Sequence, residues 1–150
     1  MSESQKNSGK DYVLKKIAHF EKKANHNKKE SILCFKLIMF CTLLAPLFVS
    51  FGEGVWFGKV LPSFLSILAA FSTAWIQLRK PQELWSIYRT AQRKLEKVLA
   101  DYEFELDLFD QLDEVEKGKK LVTEASNIVL EVHNQWLKKV PNVENIKLPE

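Results

Sequence analysis

The chain reads as an all-α membrane protein. A two-span transmembrane helical hairpin is followed by a cytoplasmic antiparallel helical hairpin, and a short amphipathic helix stands at the N-terminus. Three observations predict this. Two apolar runs, 32–51 and 60–78, lie close together. A glycine-rich link, Gly52-Glu53-Gly54-Val55-Trp56-Phe57-Gly58-Lys59, joins them. Beyond Pro81, apolar residues recur every three or four positions as far as Trp136, the period of a helix with one buried face.

The runs come first. The first carries a single charge, Lys36, and the second none. A helix advances about 1.5 Å per residue and the hydrocarbon core of a bilayer is about 30 Å thick, so about 20 residues cross it. Both runs are close to that length. The first starts too late and runs too long for a cleaved signal peptide. The mean hydropathy of −0.18 averages a very apolar third with a highly charged remainder, and the net charge of +3 hides a similar split.

Orientation follows from lysine and arginine. Lys6, Lys10, Lys15, Lys16, Lys22, Lys23, Lys28 and Lys29 precede the first span, and Arg79, Lys80, Arg89, Arg93, Lys94 and Lys97 follow the second. The link holds only Lys59. Both termini are therefore expected in the cytoplasm of a multi-pass membrane protein, with the link outside. Lys22, Lys23, Lys28, Lys29, Arg79 and Lys80 are positioned for anionic lipid headgroups. Trp56, Phe57, Trp75 and Trp85 sit near span ends, as in an aromatic belt.

Four regions result: a basic segment 1–30, the hairpin 31–80, the cytoplasmic hairpin 81–140 and a tail 141–150. In the first, 1–9 is polar and expected to be disordered, and 11–24 is an amphipathic helix with Val13, Ile17, Phe20 and Ala24 on one side. That stripe suits either the surface of an anionic leaflet or packing against the later helices. Asn25-His26-Asn27 reads as a break, with Ser31 capping the first span. Pro46 and Pro62 read as bends.

In the cytoplasmic part, Trp85, Tyr88, Ala91, Leu95 and Tyr102 belong to a seam carried by one long helix from Gln82 to about Leu112. Its basic residues lie near the membrane, and its acidic ones run from Asp101 to Glu116. Gly118 reads as the next break. A last helix over 119–139, with Leu121, Ala125, Ile128, Val132 and Trp136 on one face, returns antiparallel, and Pro141 ends it. Trp85, Tyr88, Ala91, Leu95, Tyr102 and Trp136 are the candidates for helix packing and oligomer contacts. A soluble part this small gains from self-association, so a homo-oligomer is expected.

The sequence points away from catalysis. His19, His26 and His133 stand apart, no phosphate-binding glycine loop is present, and no serine or cysteine has a base at a recognised spacing. No cofactor or metal is expected. Cys34 and Cys41, seven apart on one helix face, read as small apolar side chains. The basic residues flank spans, so lipid rather than nucleic acid is their expected partner.

One array stands out. Lys59, Ser63, Ser66, Ala70, Thr73 and Gln77 form a stripe of small and polar side chains along the second span. Such a stripe lines a water path between copies, or it packs helices tightly. Lys36 either snorkels to the headgroups or stands at a pore mouth.

Trp85, Tyr88-Arg89, Ala91, Leu95 and Tyr102 after the second span, with Glu131 to Trp136 closing the last helix, complete a pattern around the two spans. The pattern over about 29–139 resembles the SLATT family, the SMODS and SLOG-associating two-transmembrane effectors of bacteria; the acidic stretch 103–116 departs from it. The resemblance implies an effector of bacterial defence and conflict systems that oligomerises and perforates the inner membrane, beside a nucleotide-signalling or sensor protein. It brings no catalytic residue, and it favours the pore reading of the stripe. The competing expectation is a passive membrane anchor or adaptor whose cytoplasmic helices recruit a soluble partner through the acidic stretch.

Overall fold

The computed structural model describes residues 3–110 and 112–139. The described residues form helices and short connections, without a strand: α1 (Glu3–Phe51), a π-helical turn (Trp56–Val60), α2 (Leu61–Arg79), α3 (Pro81–Glu103), a 3-10 turn (Asp107–Phe109) and α4 (Glu114–Leu137). They divide into two compact units. One comprises the chain up to His26 and from Glu83 onward, the other the chain from Asn27 to Gln82.

Several sequence expectations are corrected. Residues 3–9 are helical, and α1 runs unbroken through Asn25-His26-Asn27. The reason is register. The buried and half-buried positions Val13, Ile17, Phe20 and Ala24 continue in step to Asn27, Ser31, Cys34, Ile38 and Cys41, alternating steps of four and three. Ser31 is therefore a buried mid-helix residue and not a cap. Pro46 lies inside the same helix, and Pro62 stands in the first turn of α2, directly after the π-helical turn.

The first unit is a three-helix bundle of the N-terminal part of α1 with α3 and α4. Val13, Phe20, Ala24, Tyr88, Leu95, Leu121 and Ala125 meet in its core. The amphipathic stripe of α1 is thus covered by protein rather than spread on a leaflet. Antiparallel directions follow from the ion pairs. Lys10 meets Glu103 between α1 and α3, Lys94 Nζ lies 2.7 Å from Glu131 between α3 and α4, and Lys139 meets Glu83.

The long helix expected to reach Leu112 ends at Glu103. Carboxylates crowd its C-terminal end, which the helix dipole disfavours. The chain leaves through Glu105 at φ 56°, with the Leu106 N–H donating to the Asp101 carbonyl at 2.8 Å, the wrap of a Schellman ending. Phe109 then turns back into the core, fully buried and edge-on to Tyr102 at 5.6 Å. Lys117 anchors the loop from below, 2.8 Å from Glu105. Asp113 caps α4 by accepting from the Glu114 N–H at 2.8 Å, so α4 starts before Gly118 and passes through it. Pro141 and the tail 141–150 lie outside the described residues.

The second unit is a helical hairpin of the C-terminal part of α1 with α2. Its link is shorter than the eight residues expected, because the chain is helical again from Gly54. Gly54 supplies a φ of 77°. Gly52 and Gly58 supply the close approach: a methyl on Gly58 would stand 2.9 Å from the Gly52 carbonyl oxygen. At the other end Lys80 adopts the left-handed conformation at φ 47° and donates its N–H to the Ile76 carbonyl at 2.8 Å. Pro81 then opens α3.

Candidate functional site

The hairpin of the second unit carries the candidate site. Its outer surface is made of large apolar side chains: Leu33, Phe40, Leu43, Ile67 and Phe71 are each at least 60 % exposed. The most apolar stretch of α1 is 6 % buried within the chain. A soluble core helix would be covered, and water does not tolerate a continuous apolar surface of this kind on a monomer. The two helices have the length and composition to cross a membrane.

On α2, one residue turns the helix by about 100°, and the side chains divide into three faces. Pro62, Leu65, Ala69, Ser72 and Ile76, in step with Gly58 of the preceding π-helical turn, are buried or half-buried. This seam, stepping by three and four, is the packing face. On α1 the small residues Cys34 and Ala45 are half-buried and Cys41 is buried; small side chains of this kind let helix backbones approach closely. Cys34 and Cys41 are free thiols, the first half-buried and the second buried. About half a turn away from it stand Phe64, Ile67 and Phe71, bulky and exposed.

The third face is the predicted stripe. Lys59, Ser63, Ser66, Ala70, Thr73 and Gln77 are all exposed. The stripe therefore does not pack α2 onto α1 within one chain. That task belongs to the neighbouring residues at one-position offset, Leu65, Ala69, Ser72 and Ile76 among them, which the spacing of the stripe did not single out. The hydroxyls of the stripe are already used as donors. Ser63 Oγ donates to the Lys59 carbonyl at 2.8 Å, Ser66 Oγ to Pro62 at 2.9 Å and Thr73 Oγ1 to Ala69 at 2.9 Å. What the face offers outward is hydroxyl oxygens as acceptors, a small methyl at Ala70, and a cation and an amide at its two ends.

Glu30 ties the open end of the hairpin. Its Oε1 accepts from Trp75 Nε1 at 2.9 Å and lies 3.2 Å from Arg79 Nε. Arg79 also stands over the Trp75 ring at 5.9 Å. Sequence reasoning gave Arg79 to lipid headgroups and gave Glu30 no role. A carboxylate forty-five residues upstream has no local spacing signal. Lys36 is exposed on α1, away from the seam, and Lys22, Lys23, Lys28, Lys29 and Lys80 are also exposed.

In the first unit, Tyr88, Ala91, Leu95 and Tyr102 are buried in the three-helix core, while Trp85 and Trp136 are each 36 % exposed. The basic residues of α3 have partners within the unit: Arg93 Nη1 lies 2.9 Å from Glu96 and Lys97 Nζ 3.1 Å from Asp101. The loop 104–108 presents Phe104, Leu106 and Leu108 outward between carboxylates. Among the described residues no three His, Cys, Asp or Glu side chains come together as a metal site.

A family model, SMODS and SLOG-associating 2TM effector domain 1, matches residues 10–136. That range takes in both units. No curated protein and no solved structure matches the chain.

Proposed function

Because the chain belongs to the family of SMODS and SLOG-associating 2TM effector domains, a membrane effector family, we propose that it is a pore-forming effector of the bacterial inner membrane. Several copies assemble with both termini in the cytoplasm, and α2 of each copy turns its polar stripe toward a shared water path. One hairpin cannot enclose such a path, so activity requires the homo-oligomer. A nucleotide-signalling or sensor protein supplies the trigger, and the chain itself acts by conduction rather than by catalysis.

The observation that carries this reading is the exposed stripe. On a hairpin whose other outward faces are bulky and apolar, Ser63, Ser66 and Thr73 point outward on a face left exposed among the described residues. Lipid gains nothing from such a face, whereas a wet lumen does. The back-bonded hydroxyls leave oxygen lone pairs on that surface, the sort of acceptors that line water paths. Lys59 and Gln77 mark its two ends.

The test is flux. Purified protein in liposomes is expected to release trapped ions, and the double substitution Ser66→Leu, Thr73→Leu is expected to abolish release while the oligomer persists on size-exclusion in detergent. Retained flux in that variant rejects the lining role of the stripe.

A second reading is favoured by a separate observation. Phe104 is 72 % exposed and Leu106 54 % exposed on an acidic loop, which suits an adaptor that docks a soluble basic partner. Absence of flux together with stoichiometric co-purification of a partner, lost on Phe104→Ala, selects it.

A further inference from the structure

The three-helix unit holds a groove that the pore reading does not use. It has a volume of about 350 Å³, within the range of small-ligand sites. Phe20, Tyr88 and Val132 form its floor and are buried. Its rim is Lys16, His19 and Lys23 from α1 with His133 and Trp136 from α4. The spacing explains the convergence. Residues 16, 19 and 23 share one side of α1, and 129, 132, 133 and 136 share one side of α4, so both rows open on the same hollow.

Two features of this lining are unusual together. The first is charge. Two lysines and two histidines face the groove, and no carboxylate is among the described residues that line it. Lys16 Nζ lies 5.4 Å from the Tyr12 ring centroid and Lys23 Nζ 5.4 Å from that of Tyr88. The second feature is a flat aromatic wall. His133 and Trp136 stack at 6.2 Å with an interplanar angle of 20°, and Trp136 keeps one third of its surface open. Cations that can donate to an anion thus stand beside a ring face that can stack.

We infer that this groove binds a phosphate ester, its anionic oxygens held by Lys16, His19, Lys23 and His133 and its ring or other apolar substituent against Trp136. Tetrahedral phosphate suits donors converging from two helices, and charge-assisted hydrogen bonds to it are the strong kind. The same phosphate chemistry is offered by a soluble ester and by a phospholipid headgroup. The site is independent of conduction, so its test involves no flux.

The experiment uses the full-length protein in zwitterionic phosphatidylcholine nanodiscs and follows tryptophan fluorescence, with Trp136→Phe as the assignment control. Phenyl phosphate is titrated as the soluble probe, and nanodiscs containing phosphatidylglycerol supply the headgroup probe. A saturable change with phenyl phosphate that vanishes in Trp136→Phe establishes the site with a soluble ester as its ligand. A change with phosphatidylglycerol alone, also lost in Trp136→Phe, establishes it with a lipid. In either arm Lys16→Ala and His133→Ala are expected to raise half-saturation about ten-fold, the loss of one charge-assisted contact, while Lys15→Ala leaves it unchanged. Circular dichroism melting of each variant separates lost binding from lost folding. The proposal is overturned if neither probe alters the fluorescence, or if the response is the same in Lys16→Ala and His133→Ala.

Discussion

A methyl group placed on Gly52 would meet backbone rather than yielding side chains: the Phe48 carbonyl oxygen at 2.3 Å, and the Phe57 carbonyl carbon and oxygen at 2.7 Å. Gly54 is the contrasting case, with open space around it and only the positive φ of 77° to object to a side chain. The two substitutions therefore separate steric from conformational cost. Gly52→Ala forces the end of α1 away from the π-helical turn, at about 1–3 kcal/mol or more for overpacking. Gly54→Ala costs about 1–2 kcal/mol for the left-handed conformation alone. Thermal melting in detergent is expected to fall further for Gly52→Ala, and the reverse order would discount the close approach. His19 offers a prediction of another kind. Burial, then the cations Lys23, Lys16 and Lys22, hold its imidazole below the ordinary value. The folded chain thus resists a proton that the unfolded chain accepts near about 6.5. The contribution of neutral His19 to stability is full above that pH and is lost as pH falls through it toward the lower folded value. Melting between pH 7.5 and 5.5 is expected to show a decline that His19→Gln flattens; an equal decline in that variant assigns it elsewhere.

At the scale of elements, what was legible in the sequence was what periodicity controls. Both apolar runs, the two later helices and the seam from Tyr88 through Leu95 to Tyr102 lie where spacing places them, because one buried face repeats every three or four residues. Local signals were less reliable. Asn25-His26-Asn27 has the composition of a break, yet the buried register of α1 passes through it in step, and tertiary packing overrides weak propensity. Gly118 was misread for the same reason, since the cap at Asp113 had already started α4. The end of α3 failed differently. Apolar spacing continues through Leu106 and Phe109, but it belongs to a loop that turns one ring back into the core, and periodicity alone does not distinguish the two. The stripe on α2 was visible as a pattern. Its direction was not, because both the stripe and the true seam step by three and four, and only the position of α1 decides between them. Glu30 with Trp75 and Arg79, and the groove between α1 and α4, are long-range meetings with no signature in linear spacing.

For the whole molecule, the three faces of α2 make the assembly testable position by position. One face is spent on α1, leaving the bulky Phe64, Ile67 and Phe71 and the polar Ser66, Ala70 and Thr73 to be divided between lipid, neighbouring copies and water. If copies surround a lumen, water reaches the polar face and not the bulky one. Single cysteines at these six positions, in a background with Cys34→Ala and Cys41→Ala, resolve this. Cys34 is half-buried and Cys41 buried on α1, and the alanines keep both positions small. A membrane-impermeant, charged thiol reagent is expected to modify Ser66→Cys, Ala70→Cys and Thr73→Cys in intact vesicles and to spare Phe64→Cys, Ile67→Cys and Phe71→Cys. Modification at the polar positions is also expected to block ion release, since the added charged group stands in the path. If all six are spared while cysteines at Ser66 and Thr73 cross-link readily between copies, the stripe is an inter-subunit packing face and the path runs elsewhere. If all six are modified alike, the hairpin is bathed in water and α2 is not a membrane span. The pore reading survives only the divided pattern, which follows from the outward direction of a handful of hydroxyls.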